Sequence, residues 1–276
     1  MKKLRLPLLL LLGLTLGLVL CGCSSDVTLS RDPDNPYVPN SQGASGVKNS
    51  PYEISYTSNG DGTCYVDGVS LKEGKSPASV LEIPARSPAG DTVTAIRCEP
   101  FGDGFKTVIT EIKLPDSVAE ISEGFCTACP SLTQIDLPDS LREISPNMFY
   151  GLKYLKSVSI PSSVTVIGKN AFTECDALRS LTIPDGVREI GVHAFTKCDS
   201  LKQIVLSKSV REIGTDAFLD LNFCSVYYEG TRTEWYSVRP NTTSVDYVTY
   251  YYSETQPTTS GTGKYWRYVD GDPVLW

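Results

Sequence analysis

The residue types that could carry chemistry in this chain are nine cysteines, one histidine and 32 acidic side chains. Cys126 and Cys129 have the Cys-x-x-Cys spacing of a redox or zinc site. A zinc site needs four ligands, and neither a second pair nor a histidine lies near this one in the sequence. The spacing by itself is therefore a weak signal of metal or redox chemistry.

Three cysteines recur at the same position of a sequence repeat, which favours a packing role. Cys129, Cys175 and Cys198 share this position with Leu152 and Leu221. Cysteine that alternates with leucine indicates a buried apolar site. A bridge between Cys175 and Cys198 would suit the spacing of neighbouring strands, but side chains stacked in one direction give it poor geometry.

The sequence also lacks the usual components of an active site. His193 falls at a variable polar position of the repeat, which predicts a solvated turn. Without a second histidine, a serine or cysteine nucleophile would have no obvious general base. The sequence contains no G-x-S-x-G motif, phosphate loop or zinc-protease motif. A column of glutamates is typical of a solvated face: Glu120, Glu143, Glu189 and Glu212. We predict a protein that is not an enzyme and has no cofactor or metal.

The elements that position these residues are five consecutive 23-residue repeats over residues 109–223. Each repeat begins with the pattern L-x-x-L-x-L, and proline follows this pattern in four copies. A second apolar segment contains an isoleucine that is the same in all copies, and an aromatic residue follows it in most. The isoleucines are Ile121, Ile144, Ile167, Ile190 and Ile213, and the phenylalanines are Phe149, Phe172, Phe195 and Phe218.

A repeat of this length with this strand pattern predicts a leucine-rich-repeat solenoid. One repeat cannot bury enough apolar surface to offset the entropy lost on ordering it, so the copies must stack. An irregular copy with Ile83-Pro84 precedes the array, as is expected of an end repeat. The two alternating segments around residues 58–62 predict a β-hairpin, because glycine and asparagine accept the backbone angles of its turn.

The repeat unit from Leu178 to Ser200, LRSLTIPDGVREIGVHAFTKCDS, resembles the BspA-type leucine-rich repeats of bacterial surface proteins. The resemblance extends from about Val80 to Cys224. It implies a right-handed, β-rich solenoid of the α/β horseshoe class, with a parallel β-sheet on its concave side. It also implies display outside the cell, and adhesion to host or neighbouring-cell proteins in some members.

The N-terminus predicts export. A basic start and an apolar run precede Leu20-Cys21-Gly22-Cys23, which resembles a bacterial lipobox with Cys23 as the lipidated residue. The predicted organisation is a lipoprotein signal peptide (1–22), a flexible linker (23–50), a β-hairpin or N-terminal cap (51–75), leucine-rich repeats (76–223) and an aromatic-rich C-terminal β cap (224–276). An acylated N-terminus would hold the protein on the outer side of a membrane.

Two surfaces are candidates for ligand binding. The first consists of the outward side chains of the first strands on the concave sheet: Glu111, Lys113, Gln134, Asp136, Ser157, Ser159, Ser180, Thr182 and Gln203. A protein ligand would bind there. The second is the aromatic tail, in which Trp235, Trp266 and Tyr268 would stack on a glycan. The formal net charge of −7 makes nucleic-acid binding unfavourable.

Overall fold

The computed structural model describes residues 50–98, 106–240, 247–254, 265–270 and 272–275. The predicted signal peptide, nearly all of the linker, and Cys23 lie outside these residues. The described chain begins with strands β1 (Tyr52–Ser58) and β2 (Thr63–Leu71), which pair antiparallel. Gly60 and Gly62 in the connecting turn have φ of +81° and +84°, a conformation that residues with a Cβ rarely adopt.

The first strands of the repeats pair in parallel with one another, except at the third repeat. Within the regular array the paired residues are 23 positions apart, so that Ile112 lies opposite Ile135 and Leu181 opposite Ile204. The sequence repeat is therefore the structural repeat, as predicted. These strands are β3 (Val80–Glu82), β5 (Glu111–Lys113), β7 (Gln134–Asp136), β10 (Ser180–Ile183), β12 (Gln203–Leu206) and β14 (Cys224–Tyr228).

The second apolar segment of each repeat forms short parallel strands on the other side of the solenoid. The strands are β4 (Thr92–Ile96), β6 (Glu120–Ile121), β8 (Glu143–Ile144), β9 (Val166–Ile167), β11 (Glu189–Ile190) and β13 (Glu212–Ile213). Each strand ends in an isoleucine whose side chain is buried. The strands lie in two sheets, of which the first also contains the hairpin: β1-β2-β4-β6 and β8-β9-β11-β13.

A row of stacked phenylalanines runs through the core between the two sets of strands. Ring centroids lie 5.0 Å apart between Phe149 and Phe172, 5.4 Å between Phe172 and Phe195, and 5.7 Å between Phe195 and Phe218. All four side chains are buried. Offset stacking adds stability beyond the burial of apolar area, so this row holds successive repeats together.

The turn before each aromatic residue requires a left-handed backbone. The residues at this position have φ between 54° and 68°, which explains why glycine and asparagine occur there: Gly124, Asn147, Asn170, His193 and Asp216. His193 is thus a turn residue that tolerates a strained backbone. A second left-handed position follows four residues later and holds Gly151, Glu174, Lys197 and Asp220.

The glycine after the repeated isoleucine is required by close packing between repeats. A Cβ on Gly191 would lie 2.5 Å from the backbone nitrogen of Lys169 in the preceding repeat. Serine occupies this position in two earlier repeats, and there its hydroxyl bonds to the preceding turn: Ser122 donates to the Cys98 carbonyl at 3.0 Å.

The parallel strands continue past the last full repeat into the aromatic tail. β14 pairs with β15 (Tyr247–Tyr252), which pairs with β16 (Tyr265–Val269), and β17 (Asp272–Leu275) folds back antiparallel. A short helix, α1 (Arg232–Val238), lies between β14 and β15. The sequence prediction of a tail made of β-strands missed this helix. Its signal was the capping box, in which Thr231 and Glu234 bond reciprocally.

Candidate functional site

The outward face of the first strands carries the polar residues that the sequence predicts as a binding surface. Side chains alternate between the core and this face along each strand, because successive residues of a strand point to opposite sides. Glu111 and Gln203 are partly exposed, and the other seven predicted residues are exposed. We call this surface the first-strand face. The first-strand face is less polar in the fifth repeat, where Val205 takes the place of an exposed polar residue and is buried.

The ladder of first strands is interrupted at the third repeat. Residues 157–160 are described but have no strand assignment, and no ladder joins them to β7 or β10. The parallel first strands therefore form two separate sheets, ordered β3-β5-β7 and β10-β12-β14-β15-β16-β17. The sequence predicted an uninterrupted strand here, since Leu155, Val158 and Ile160 match the repeat. Val158 is only partly buried, whereas the equivalent residues of the other four repeats are buried.

A cleft of about 570 Å³ lies at this interruption. Its polar lining consists of six of the nine predicted residues: Gln134, Asp136, Ser157, Ser159, Ser180 and Thr182. Ile135, Val158, Leu181 and Pro184 are among the apolar lining residues. The cleft offers neutral hydrogen-bonding groups and one carboxylate on an apolar floor, a composition that suits recognition of a neutral or basic ligand.

The charged residues beside the cleft are arranged asymmetrically. The ammonium of Lys113 lies 3.7 Å from the carboxylate of Glu111, so these two charges partly neutralise each other. Asp136, one strand further along, makes no ion pair with any part of the chain that the structure describes. Lys113 lies opposite Asp136 in the ladder of β5 and β7, and the Asp136 carboxylate is the one charged group among the residues that line the cleft.

The predicted glycan-binding tryptophans lie within the packed tail. Trp235 is 4% exposed and packs against Tyr228, with ring centroids 5.3 Å apart. Trp266 is fully buried, and its indole N–H donates to the Tyr228 carbonyl at 3.1 Å. Neither indole presents a free face to a sugar in this conformation. Tyr268 is exposed, and its hydroxyl donates to Glu229 at 2.6 Å.

The cysteines that could have formed a redox or metal site are packed in the core. Cys126, Cys175 and Cys198 are buried, and the thiols of Cys175 and Cys198 donate to the carbonyls of Phe149 and Phe172. Burial raises the pKa of all three thiols, to about 12 for Cys198. Thiols in this state are poor nucleophiles and poor metal ligands.

The glutamates that recur in the second segment of the repeats lie on the surface of the solenoid. Glu120 forms an ion pair with Arg97 at 2.9 Å, and hydrogen bonds from Arg97 lower its pKa. Glu143 has a raised pKa because of partial burial and the nearby charge of Glu189. Within the described ranges, no group of three or more His, Cys, Asp or Glu side chains is placed to hold a metal ion. No helix among the described residues is both long enough and apolar enough to cross a bilayer.

Two exposed aromatic residues lie at a repeat position that the sequence analysis did not single out. Tyr154 and Phe223 occupy equivalent sites at the start of the first-strand segment, where the other copies have Val108, Ser131, Ala177 and Ser200. They are 61% and 84% exposed, and Phe223 has a φ of 60°. A bulky residue with positive φ is a backbone outlier. The sequence signal was the aromatic residue at a position that is not aromatic in the other copies.

Parallel ladders with a 23-residue offset and a continuous apolar core define a leucine-rich-repeat protein with a β-rich solenoid. The family model for the BspA type leucine rich repeat region matches residues 94–234 in six copies. This match spans just over half of the chain, and the chain belongs to that family. The resemblance seen in the sequence is thereby confirmed.

Two solved structures have the same fold. A leucine rich repeat protein of T. pallidum is 22% identical, with a TM-score of 0.54 over 72% of this chain and 83% of its own. A leucine rich cell surface protein of Faecalibacterium prausnitzii is also 22% identical, with a TM-score of 0.56 over 88% of this chain and 62% of its own. At this identity the likeness concerns the fold alone. Among curated proteins, none is significantly similar in sequence.

Proposed function

We propose that this chain is a non-enzymatic cell-surface lipoprotein that binds a protein on a host or neighbouring cell through its first-strand face. The observation that carries this proposal is the cleft of about 570 Å³ in that face, lined by six polar residues that the repeat pattern places outward. A rigid, laterally extended array of strands is a scaffold on which repeat proteins hold partners. We further propose that this face is the concave side of a right-handed solenoid, as in the family.

Exposed aromatic residues strengthen the case for a protein partner. Tyr154 and Phe223 lie at the same edge of the first strands, three repeats apart, which corresponds to about 14 Å at the usual strand spacing. Protein interfaces draw much of their affinity from a few buried aromatic anchors. These two rings would supply the apolar anchors that the polar first-strand face lacks.

Surface display is supported by the lipobox-like sequence ending at Cys23 and by the printed description of the Faecalibacterium prausnitzii protein as a cell surface protein. Labelling with a fatty-acid probe tests the anchor. The wild-type chain should incorporate the probe and Cys23→Ser should not. Equal labelling of both would refute lipid attachment at Cys23.

Glycan binding by the tail is the weaker alternative. Stacking on a sugar requires an open aromatic face, and Trp235 and Trp266 are covered by neighbouring rings and backbone. Probing a glycan array with the full chain separates the two functions. Specific glycan binding that is lost in Trp266→Ala, with folding retained by circular dichroism, would favour the glycan function.

The test of the main proposal is a charge exchange on the first-strand face. The full chain in detergent is used to capture proteins from host and neighbouring-cell surface extracts, and each captured protein is titrated with variants. Lys113→Glu combined with Asp136→Lys should weaken binding at least tenfold. The matched control, Lys169→Glu combined with Glu189→Lys, makes the same reversals of charge at exposed residues on the opposite side of the repeats and should bind as wild type. Unchanged affinity in the first variant would refute binding through this face.

A further inference from the structure

Three basic side chains form a row at the edge of the first-strand face. They occupy the same position in the third, fourth and fifth repeats, one residue before the outward residues of the first-strand segments: Lys156, Arg179 and Lys202. All three are exposed. The Lys202 N–H donates to the Arg179 carbonyl at 3.0 Å, and the rings of Phe149 and Phe172 lie 5.0 Å apart, so the stacked repeats place these basic residues one above another. We call them the basic row.

The basic row is not needed to hold the repeats together. In the first two repeats the same position holds threonine, and the Thr133 hydroxyl donates to the Thr110 carbonyl at 3.1 Å. None of the three basic side chains forms an ion pair with a described residue. The Lys202 ammonium donates to the Asn222 carbonyl at 2.6 Å, which leaves its charge unneutralised. Like charges on adjacent strands destabilise a sheet, so the row lowers stability unless a ligand neutralises it.

The acidic residues that come before the row have other partners. Asp176 and Asp199 precede the two later members of the basic row by three residues. The Lys153 ammonium lies 4.0 Å from the Asp176 carboxylate, and the Asn222 amide donates to Asp199 at 3.3 Å. Salt screens exposed charges beyond about 8–10 Å, so a short ligand at this edge responds to the row more than to the net charge of −7.

Exposed aromatic rings lie at both ends of the basic row. Tyr154 precedes its first member by two residues, and Phe223 has the equivalent position one repeat after its last member. Ala177 and Ser200 have this position in between, so a ligand can approach there without meeting a bulky side chain. Phe223 is 84% exposed with a φ of 60°, and such strain in an exposed bulky residue points to a role in binding.

The spacing of the basic row matches one face of an α-helix. Adjacent strands are about 4.8 Å apart, so the outer two members of the row are about 10 Å apart. Side chains on successive turns of a helix lie about 5.4 Å apart, and three of them span about 11 Å. Alternate side chains of an extended chain lie about 6.7 Å apart, and three of them span about 13 Å. The flexible lysine side chains accommodate the smaller mismatch, that with the helix, more readily.

We propose that this edge binds an acidic helix of the partner protein. The helix lies along the stack of repeats, with one carboxylate per turn facing the basic row and with apolar residues against Tyr154 and Phe223. This inference rests on the proposed function and names the part of the partner that is recognised. Recognition through one face of a helix requires no main-chain bonds to the receptor. A long polyanion would also meet the field of the remaining chain, whose net charge is −7.

The experiment uses the full chain in detergent and fluorescent alanine-rich peptides of about 20 residues, a length at which an isolated helix forms. The acidic-face peptide has glutamates along one helix face and a leucine at each end of that face. One control distributes the same glutamates around the helix, a second replaces them with lysine, and a third adds a central proline. A sulfated oligosaccharide tests for a general polyanion site. Binding is measured by fluorescence anisotropy at several salt concentrations.

We expect the acidic-face peptide to bind at least tenfold more tightly than the three control peptides, and less tightly as salt rises. Each exposed ion pair contributes about two- to fivefold in affinity. Lys156→Gln, Arg179→Gln and Lys202→Gln together should therefore weaken binding at least tenfold. The matched control removes three exposed positive charges from the opposite side of the repeats and should bind as wild type: Arg142→Gln, Lys169→Gln and Arg211→Gln.

The rings provide a second test, in which binding and stability change differently. Asparagine tolerates positive φ better than phenylalanine, so Phe223→Asn should keep or raise Tm while weakening binding at least threefold. Tyr154→Ser introduces the residue type of two other copies and should weaken binding by a similar factor at unchanged Tm. Circular dichroism checks the fold of each variant.

Absence of binding by the acidic-face peptide would overturn the inference. So would equal affinity for the redistributed or proline peptide, tighter binding of the sulfated oligosaccharide, or unchanged binding by the folded triple glutamine variant of the basic row. A captured protein that is sensitive to the exchange at Lys113 and Asp136 but indifferent to that triple variant would refute the acidic helix and leave the proposed function standing. A captured protein that is insensitive to the charge exchange would instead refute the proposed function.

Discussion

The stacked phenylalanines predict that Phe195→Ala will be among the most destabilising changes in the chain. Phe195 is fully buried and contacts the ring of Phe172 at 5.4 Å and that of Phe218 at 5.7 Å. Truncation of a buried phenylalanine to alanine costs about 3–5 kcal/mol. For a domain of this size, that loss lowers Tm by roughly 6–20 °C. It would consume a large part of an ordinary stability of about 5–15 kcal/mol.

The measurement is urea denaturation of the full chain, followed by far-ultraviolet circular dichroism and by tryptophan fluorescence. Trp235 and Trp266 are buried in the tail, so fluorescence reports on that end, while circular dichroism reports on all strands. Because each repeat is stabilised by its neighbours, we expect Phe195→Ala to shift both signals. Tyr154→Ala is the matched control, since it removes an aromatic ring that is 61% exposed and should change stability by less than about 0.5 kcal/mol.

A double-mutant cycle isolates the ring stack from simple burial. Phe172→Leu and Phe195→Leu keep a large apolar side chain but remove the contact between two rings. The cycle should give a coupling of about 0.5–1.5 kcal/mol. A loss below about 1 kcal/mol for Phe195→Ala, or additive leucine substitutions, would refute the view that stacked rings hold the repeats together.

Three further predictions concern the backbone and the buried thiols. Gly191→Ala should cost about 1–3 kcal/mol in denaturation, because its Cβ would lie 2.5 Å from backbone of the preceding repeat, whereas Ser122→Ala in the same column should cost less. Lys197→Gly should raise stability by about 0.5–1 kcal/mol, since Lys197 has a φ of 59°; a lower Tm would contradict this account of the turn. The pKa of Cys198 and of Cys224 is raised to about 12 by burial, so iodoacetamide at pH 8 should leave both unmodified until urea unfolds the chain, as peptide mass spectrometry would show.

The fold was largely predictable because burial imposes a period on the sequence. Ile112, Ile135, Leu181 and Ile204 are apolar at the same repeat position because each contributes to one continuous core. The same columns identified Cys175 and Cys198 as packing residues. Residue type is sufficient for such predictions, because a side chain that is always buried must be apolar or fully hydrogen-bonded.

Features that depend on small differences in distance or on distant contacts were not predictable in the same way. Val158 satisfies the repeat pattern as well as its neighbours do, yet the strand around it is unpaired. Hydrogen bonding in a sheet is lost over a few tenths of an ångström, and the separation of adjacent turns is set by the packing of the whole stack. Tryptophan is a residue type that often stacks on sugars, but contacts within the tail bury Trp266.

The sequence by itself determined the repeat, the positions whose side chains are buried and the polar first-strand face. Burial that recurs every 23 residues requires an apolar residue at the same position of each copy. Only the tertiary structure decided where that face opens into a cleft, which aromatic rings stay exposed and which turn residues have positive φ. These properties arise from how the repeats stack on one another, and no single repeat encodes that arrangement.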